Sequence, residues 1–535
     1  MRATPPPRSS RPRRGPHFSL GRSPRRKQTQ GGTLTPNQVG LALVLLGVMV
    51  LLGKTMRIKW GWTQKLFLPA SILAGFLALF LGPEVFGSIA SALGTDRFAE
   101  GGLFGEETLA VWKTLPGLLI SVVFGTLFLG QKLPKPKEVV ELAGPQLSVG
   151  VAFASGQYVV GIALVTFLLA PLFGINEAAG ALIEIGFEGG HGTAAGMQSV
   201  FEDIEWAEGY DLAVAVATVG LLSGIIIGVA VINWAIRTGR TEVITEVKDR
   251  SIEDQRGLFR RDEQYMAAKM TTRPSSVEPL SLHVAFLAVA IGVGVILLKA
   301  LQWIEQMLWI DKIELLSYVP LFPMAMIGGI FVQLGLNFLG YEHLIDQNMM
   351  LRIQGLALDL LITAALATIS LQAIADNFWA FLILCLGGIL LNVFLLLWLA
   401  PRSIPEYWLE RGVGDFGQSM GVTATGLILM RIVDPEAESP AFESFGYKQL
   451  VFEPFFGGGI ITAVSIPFIM AVGPLPVLGV MTALFIFAIA TGLFYWGRKF
   501  GIDRSKANGG TKALGNHKAN MEAKKAAAAA QQHKN

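Results

Sequence analysis

The chain has 535 residues, of which 52% are hydrophobic and only 16% charged, and its mean hydropathy is +0.52. That much apolar surface cannot be enclosed in a soluble core of ordinary proportions, so a soluble globular protein is excluded and the chain reads as an integral membrane protein. The net charge of +3 says little by itself, because placement of charge matters more than its sum, and a lone cysteine, Cys385, excludes a disulfide framework or a cysteine-based metal site.

Residues 1–35 carry nine Arg and Lys and no acid, a composition that does not collapse. We read 1–36 as a disordered basic arm: an extension without function, a lipid-binding segment or a targeting segment. The apolar run at 39–53 is followed by Lys54, Arg57 and Lys59 with no small-residue cleavage pattern, so it is a first span rather than a cleaved signal.

Crossing about 30 Å of hydrocarbon takes about 17 to 25 apolar residues. Such runs lie at 37–53, 65–82, 114–130, 147–173 and 210–236, which gives a first membrane repeat over 37–236. A polar linker at 237–281 holds nine basic and eight acidic residues and divides the chain. The second half offers 282–303, 318–340, 355–372, 377–400 and 449–473, a repeat over 282–473, then one extra helix at 474–496 and a disordered basic tail at 497–535.

Between the fourth and fifth spans of each half lies a stretch of intermediate polarity, 177–200 and 411–430. Each contains a glycine-rich string, Gly186-Phe187-Glu188-Gly189-Gly190-His191-Gly192-Thr193 and Gly412-Val413-Gly414-Asp415-Phe416-Gly417-Gln418. Glycine frees the backbone from helical dihedrals, and hydrocarbon tolerates the result only where neighbouring helices or a wet cavity shield it. We expect both stretches to be re-entrant, dipping in and returning on one side.

Basic residues collect on the cytoplasmic side of a membrane. Lys54, Arg57, Lys59 and Lys65, then Lys132, Lys135 and Lys137, then the linker and the tail fall on one side if the N-terminus is outside. The opposite side is acidic, with seven acids and no Lys or Arg over 174–209. On this topology the first glycine string enters from outside and the second from inside. The fold expected is therefore an all-α integral membrane protein: two inverted-topology repeats of five transmembrane helices, each with a re-entrant loop, plus one extra C-terminal helix.

Paired interruptions of this kind mark a transport site near the midplane. Glu188 and Asp415 occupy corresponding strings, and ionisable groups at membrane depth usually serve function; the alternative is that both face water at loop mouths. His191 reads either as a buried, hydrogen-bonded histidine or as a ligand. Thr193, Thr218, Thr423, Thr425 and Thr462 could offer hydroxyls to an ion or carboxylate, or simply satisfy helix carbonyls. Arg352 and Arg431 are the candidates to neutralise a substrate carboxylate, with snorkelling as the alternative. Gly53-Lys54-Thr55 lacks the glycine a phosphate loop needs, since Val48 stands there, and no zinc-protease helix or nucleophile elbow is present. Transport driven by an ion gradient is favoured over ATP hydrolysis or membrane enzymology.

Gly189-Gly190-His191-Gly192-Thr193-Ala194-Ala195, followed by Ala217-Thr218-Val219-Gly220-Leu221-Leu222-Ser223-Gly224, resembles the bacterial sodium/glutamate symporters. Gly412, Phe416-Gly417, Thr423-Ala424 and Glu453-Pro454-Phe455-Phe456-Gly457 agree more loosely, and Phe67-Leu68-Pro69 is similar too, so the likeness runs over about 37–473. The resemblance implies sodium-coupled uptake of glutamate or a related amino acid by an elevator-like or alternating-access movement, in a homodimer in the lipid of the plasma (inner) membrane, with no nucleic acid and no cofactor beyond Na+ as coupling ion. The two strings and their neighbouring hydroxyls point to a substrate and ion site among Glu188, Gly189, Gly190, His191, Gly192, Thr193, Thr218, Gly414, Asp415, Phe416, Gly417, Gln418, Thr423 and Thr462, with Na+ on backbone carbonyls of Gly189, Gly190 and Gly414. Glu188 and Asp415 replace small residues of the relatives, which leaves open a neutral or cationic amino acid or another organic anion as cargo. A channel or a nontransporting membrane sensor is the alternative of another class.

Overall fold

The computed structural model describes residues 35–66, 68–131, 136–243, 256, 258–259, 264, 266–308, 319–435 and 437–499. Nearly all of the basic arm, most of the linker, Phe67, Lys132, Lys135 and the tail from 500 lie outside them. Among the described residues there are helices and no strands, and eleven helices are long and apolar enough to cross a membrane.

These are α1 (Pro36–Lys59), α2 (Ala70–Ala92), α3 (Glu106–Thr126), α4 (Leu142–Phe173), α5 (Glu208–Arg237), α6 (Pro279–Met307), α7 (Leu321–Leu339), α8 (Gln347–Ala367), α9 (Phe378–Ser403) and α10 (Trp408–Val433). Two further helices, α11 (Ala441–Phe452) and α12 (Ile460–Val472), precede the eleventh span, α13 (Pro474–Lys499). The start of α1 is written locally: the Thr35 hydroxyl accepts from the Gln38 amide at 3.3 Å, the Gln38 side chain accepts from the Thr35 amide at 2.7 Å, and Pro36 opens the first turn.

Two expectations require correction. The run 449–473 is not one span: Pro454 cannot donate a helix hydrogen bond, Gly457 and Gly458 take φ of +66° and +108°, and the chain turns between α11 and α12. The string 412–417 does not break its helix, which runs regularly from Trp408 to a break at Gly421 and Val422. Its glycines serve close packing instead. A Cβ on Gly417 would lie 2.7 Å from the Gly426 Cα, and one on Gly414 would press on Met430, so the two arms of α10 lie antiparallel against each other. α10 is thus a helical hairpin.

Packing cuts across the sequence halves. α1 packs on α2 and α2 on α8, while reciprocally α6 packs on α7 and α7 on α3, and α3 and α8 pack on each other. The Trp112 indole donates to the Ala42 carbonyl at 2.8 Å, tying α3 to α1. A second group gathers α4, the segment 177–203, α5, α9, α10, α11, α12 and α13 around the largest apolar core. Both α4 and α9 widen into a five-residue π turn, Val165–Leu169 and Leu395–Leu399, immediately before an Ala-Pro step.

Beyond the end of α5 the chain is tied to α10. The Glu410 carboxylate accepts from the amides of Glu242 and Val243 at 2.7 and 3.2 Å, and Glu242 accepts from the Tyr407 amide at 3.1 Å. Burial, with Glu410 beside it, pushes the Glu242 carboxyl from 4.5 up to about 7. A carboxyl whose folded value lies above its unfolded value holds its proton more tightly when folded, so stability is lost as pH rises from about 4.5 through about 7. Glu242→Gln keeps the acceptor and drops the charge. Its thermal unfolding midpoint is expected above wild type at pH 8 and to converge with it toward pH 4.5; equal midpoints at both ends would refute the coupling.

Candidate functional site

Two backbone breaks, one from each half, meet inside the second group of helices. The segment 177–203 advances as a 3-10 turn, Glu177–Ala181, and a wide turn, Glu184–Glu188, then restarts as a helix, Gly190–Gly196. Gly190 has φ of +66°, which glycine adopts without steric cost. In α10 the break falls at Gly421 and at Val422, whose φ of 63° and ψ of 169° are costly for a β-branched residue. A Cβ placed on Gly190 would strike Val422 Cγ1, so the missing side chain of one break makes room for the valine of the other.

Charged side chains crowd around this contact, and most are matched. Glu184 is fully buried and accepts from the Tyr158 hydroxyl at 2.6 Å, the Thr462 hydroxyl at 2.7 Å and the Gly457 amide at 3.0 Å. Asp415 takes the Lys448 ammonium at 3.3 Å and the Gln146 amide at 3.2 Å. Lys448 also donates to Gln418 at 2.6 Å and stands 3.9 Å from the centre of the Phe452 ring. Arg411 donates to the Leu142 carbonyl at 2.7 Å, and Glu453 accepts from Thr423 at 2.8 Å and Gln449 at 3.0 Å. Glu188 is 2% exposed, yet among the described residues neither of its oxygens has a hydrogen-bond partner.

The residues picked out from sequence separate into three sets. Glu188, Gly189, Gly192, Gln418 and Thr423 line one cavity, and Gly190 sits beside them at the meeting of the breaks. His191 and Thr218 pair with each other at 2.9 Å, Thr218 also donating to the Val214 carbonyl, and Thr193 donates to the Gly457 carbonyl at 3.4 Å. Gly414, Phe416 and Gly417 lie buried in the first arm of α10, and Asp415 and Thr462 are engaged in the pairs above. Thr425 donates to the Gly421 carbonyl, capping the break. Arg352 and Arg431 are exposed; among the described residues the buried Lys and Arg are Lys448 and Arg411.

Sequence reasoning passed over Glu184, Lys448, Gln157 and Ser419, and named Glu453 only as part of a family-like string. Glu184 carried a readable signal, four residues before Glu188 and so on the same helical face. Lys448 carried none, because a lysine at the edge of an apolar run reads as interfacial.

The cavity, about 1310 Å³, lies between the two groups of helices. Phe124 of α3, Leu358 of α8, Glu188, Val422, Glu453, Gln131, His343 and Asp346 are among the residues that line it. Its lining includes Glu188, Glu342, Asp346, Glu443 and Glu453 against a single lysine, Lys269, so it is a negatively biased chamber. A model of the family described as "Sodium/glutamate symporter" matches residues 106–433, which takes in both breaks. No curated protein and no solved structure matches the chain.

Proposed function

Because this chain belongs to the sodium/glutamate symporter family, a family of transporters and not of enzymes, we propose that it imports glutamate or a related amino acid together with Na+ by alternating access across the plasma membrane. The contact of the two breaks at the cavity wall carries this reading. Irregular backbone at membrane depth supplies free amides and carbonyls where a substrate and an ion can be held together. The reciprocal packing of α1–α3 and α6–α8 supports an inverted repeat, and the folded-back α10 supports a re-entrant hairpin.

The substrate-bearing group is then α4, α5, α9, α10 and the segment 177–203, moving against the frame of α1–α3 and α6–α8. On the charge-based topology, Gln131 and Asp346, which line the cavity, lie toward the cytoplasmic side. Homodimerisation in the bilayer follows from the family resemblance and is part of the proposal.

The five acids of the lining favour a second cargo, a neutral or cationic amino acid, over a dianionic side chain. Labelled glutamate is expected to accumulate in proteoliposomes under an imposed inward Na+ gradient. Competition by a panel of neutral, basic and dicarboxylic amino acids ranks the two cargoes. Flux that ignores the gradient, or no flux of any amino acid, would overturn the transport reading.

A further inference from the structure

A second cavity, of about 460 Å³, is lined entirely by apolar and aromatic residues. Its lining comes from α2, through Ile72 and Phe76, from α5, through Leu222 and Ile226, and from the turn after α1, through Trp60 and Trp62. α2 belongs to the first packing group and α5 to the second, and the two make little direct contact, so the cavity is a gap in the seam between the groups. Trp60, Trp62, Phe76 and Ile226 are exposed, and in a chain that spans a membrane such a face meets lipid.

The groove has two chemically different ends. Leu222 stands near the middle of α5, which places that part at mid-depth of the bilayer. Trp60 and Trp62 directly follow the end of α1, their rings stacked at 6.1 Å, and tryptophan collects at the membrane surface. Basic residues gather at this same end. Lys59, in the last turn of α1, is exposed beside Trp60, and Arg237, in the last turn of α5, is exposed about three turns beyond Ile226 and on the same helical face. Lys54 is taken by Asp359 at 2.7 Å, whereas among the described residues neither Lys59 nor Arg237 forms an ion pair. On the charge-based topology this end lies at the cytoplasmic leaflet, whose lipids carry negative charge.

We propose that the groove binds one anionic phospholipid of the cytoplasmic leaflet, an acyl chain lying between α2 and α5 and the phosphate head group held by Lys59 and Arg237. The volume is that of a small-molecule site, about 300–1,000 Å³. Charge complementarity selects the lipid over a second copy of the chain, because a two-fold contact sets a patch against itself and would bring the same cations together. A lipid seated in the seam favours the arrangement of the two groups in which the gap exists. That consequence rests on the transport reading; the binding itself does not.

Native mass spectrometry of the purified full chain tests the site, with phosphatidylglycerol and phosphatidylcholine of the same acyl chains as probes. Wild type is expected to retain one phosphatidylglycerol at a concentration roughly tenfold below that needed for phosphatidylcholine, in keeping with two basic groups at an anionic surface. Lys59→Gln combined with Arg237→Gln is expected to remove this preference and leave retention of phosphatidylcholine unchanged. Ile226→Trp, whose larger ring fills the groove from an exposed position, is expected to weaken both lipids several-fold; should it fold poorly, Phe76→Trp carries the same test. No preference in wild type, a wild-type preference in the charge variant, or wild-type retention in the groove variants each overturns the site. Competition by glycerol 3-phosphate as strong as that by the lipid also overturns it, since the groove then contributes nothing. A groove variant that shifts the ratio of monomer to dimer while lipid retention stays intact overturns it in favour of a contact between copies. Failure of amino-acid uptake with these lipid responses intact refutes the transport reading and leaves the site standing.

Discussion

Lys448→Met is expected to destabilise the protein by about 3–5 kcal/mol and to abolish uptake, because it leaves a buried carboxylate without the cation that pairs with it. Lys448 and Asp415 are both 0% exposed at a separation of 3.3 Å. The second oxygen of Asp415 already lacks a hydrogen-bond partner among the described residues, so the Gln146 amide and the charge of Arg411 nearby would remain to it. Methionine keeps the length of the side chain and a favourable contact with the Phe452 ring, so the substitution removes the charge together with the hydrogen bond to Gln418. Pairing it with Asp415→Asn is expected to bring stability back to within about 1 kcal/mol of wild type, since a buried ion pair replaced as a unit is often close to neutral. Denaturant unfolding of the two single variants and the double reads the cycle. Singles that each lose under about 1 kcal/mol, or a double as unstable as their sum, would show that the pair is not coupled.

The second large effect concerns the contact of the two breaks. Gly190→Ala places a side chain at φ of +66° and drives its Cβ into Val422. The left-handed conformation costs about 1–2 kcal/mol and overpacking about 1–3 kcal/mol. A total of a few kcal/mol at the site corresponds to roughly a hundredfold loss of Na+-driven uptake, taking about 1.4 kcal/mol per tenfold. Gly174→Ala separates the two costs, because Gly174 has φ of +68° with nothing within 4 Å of the added carbon; its uptake is expected to stay within about threefold of wild type. Gly190→Ala combined with Val422→Gly removes the collision and the strain on Val422, and is expected to recover part of the loss. If Gly190→Ala behaves like Gly174→Ala, the breaks do not need to touch for transport. Uptake is normalised to reconstituted protein, so poor insertion does not pass for lost function.

Hydropathy and length determined most of the membrane spans from the sequence alone, since hydrocarbon imposes a length on every crossing helix. They failed where two apolar stretches could satisfy the same rule by different routes. The run 449–473 is apolar enough to cross, but Pro454 and Gly457–Gly459 divide it. The glycines at 412–417 look like helix breakers because nothing in a sequence distinguishes a glycine that frees the backbone from one that lets a second arm approach. Gly417 is the second kind, pressed on Gly426, while Gly190, with its positive φ, is the first.

The family and the first break were legible by themselves, in Gly189-Gly190-His191-Gly192-Thr193 and in composition, because both are local properties of the chain. The electrostatic character of the site was not. Asp415 is matched by Lys448, 33 positions on, Glu184 by Thr462 and the Gly457 amide, and Ser419 is braced by Gln157 from α4. Whether a buried acid is satisfied or still seeks a cation depends on donors brought from distant segments. Packing alone therefore decided which donors and cations each of these buried acids meets.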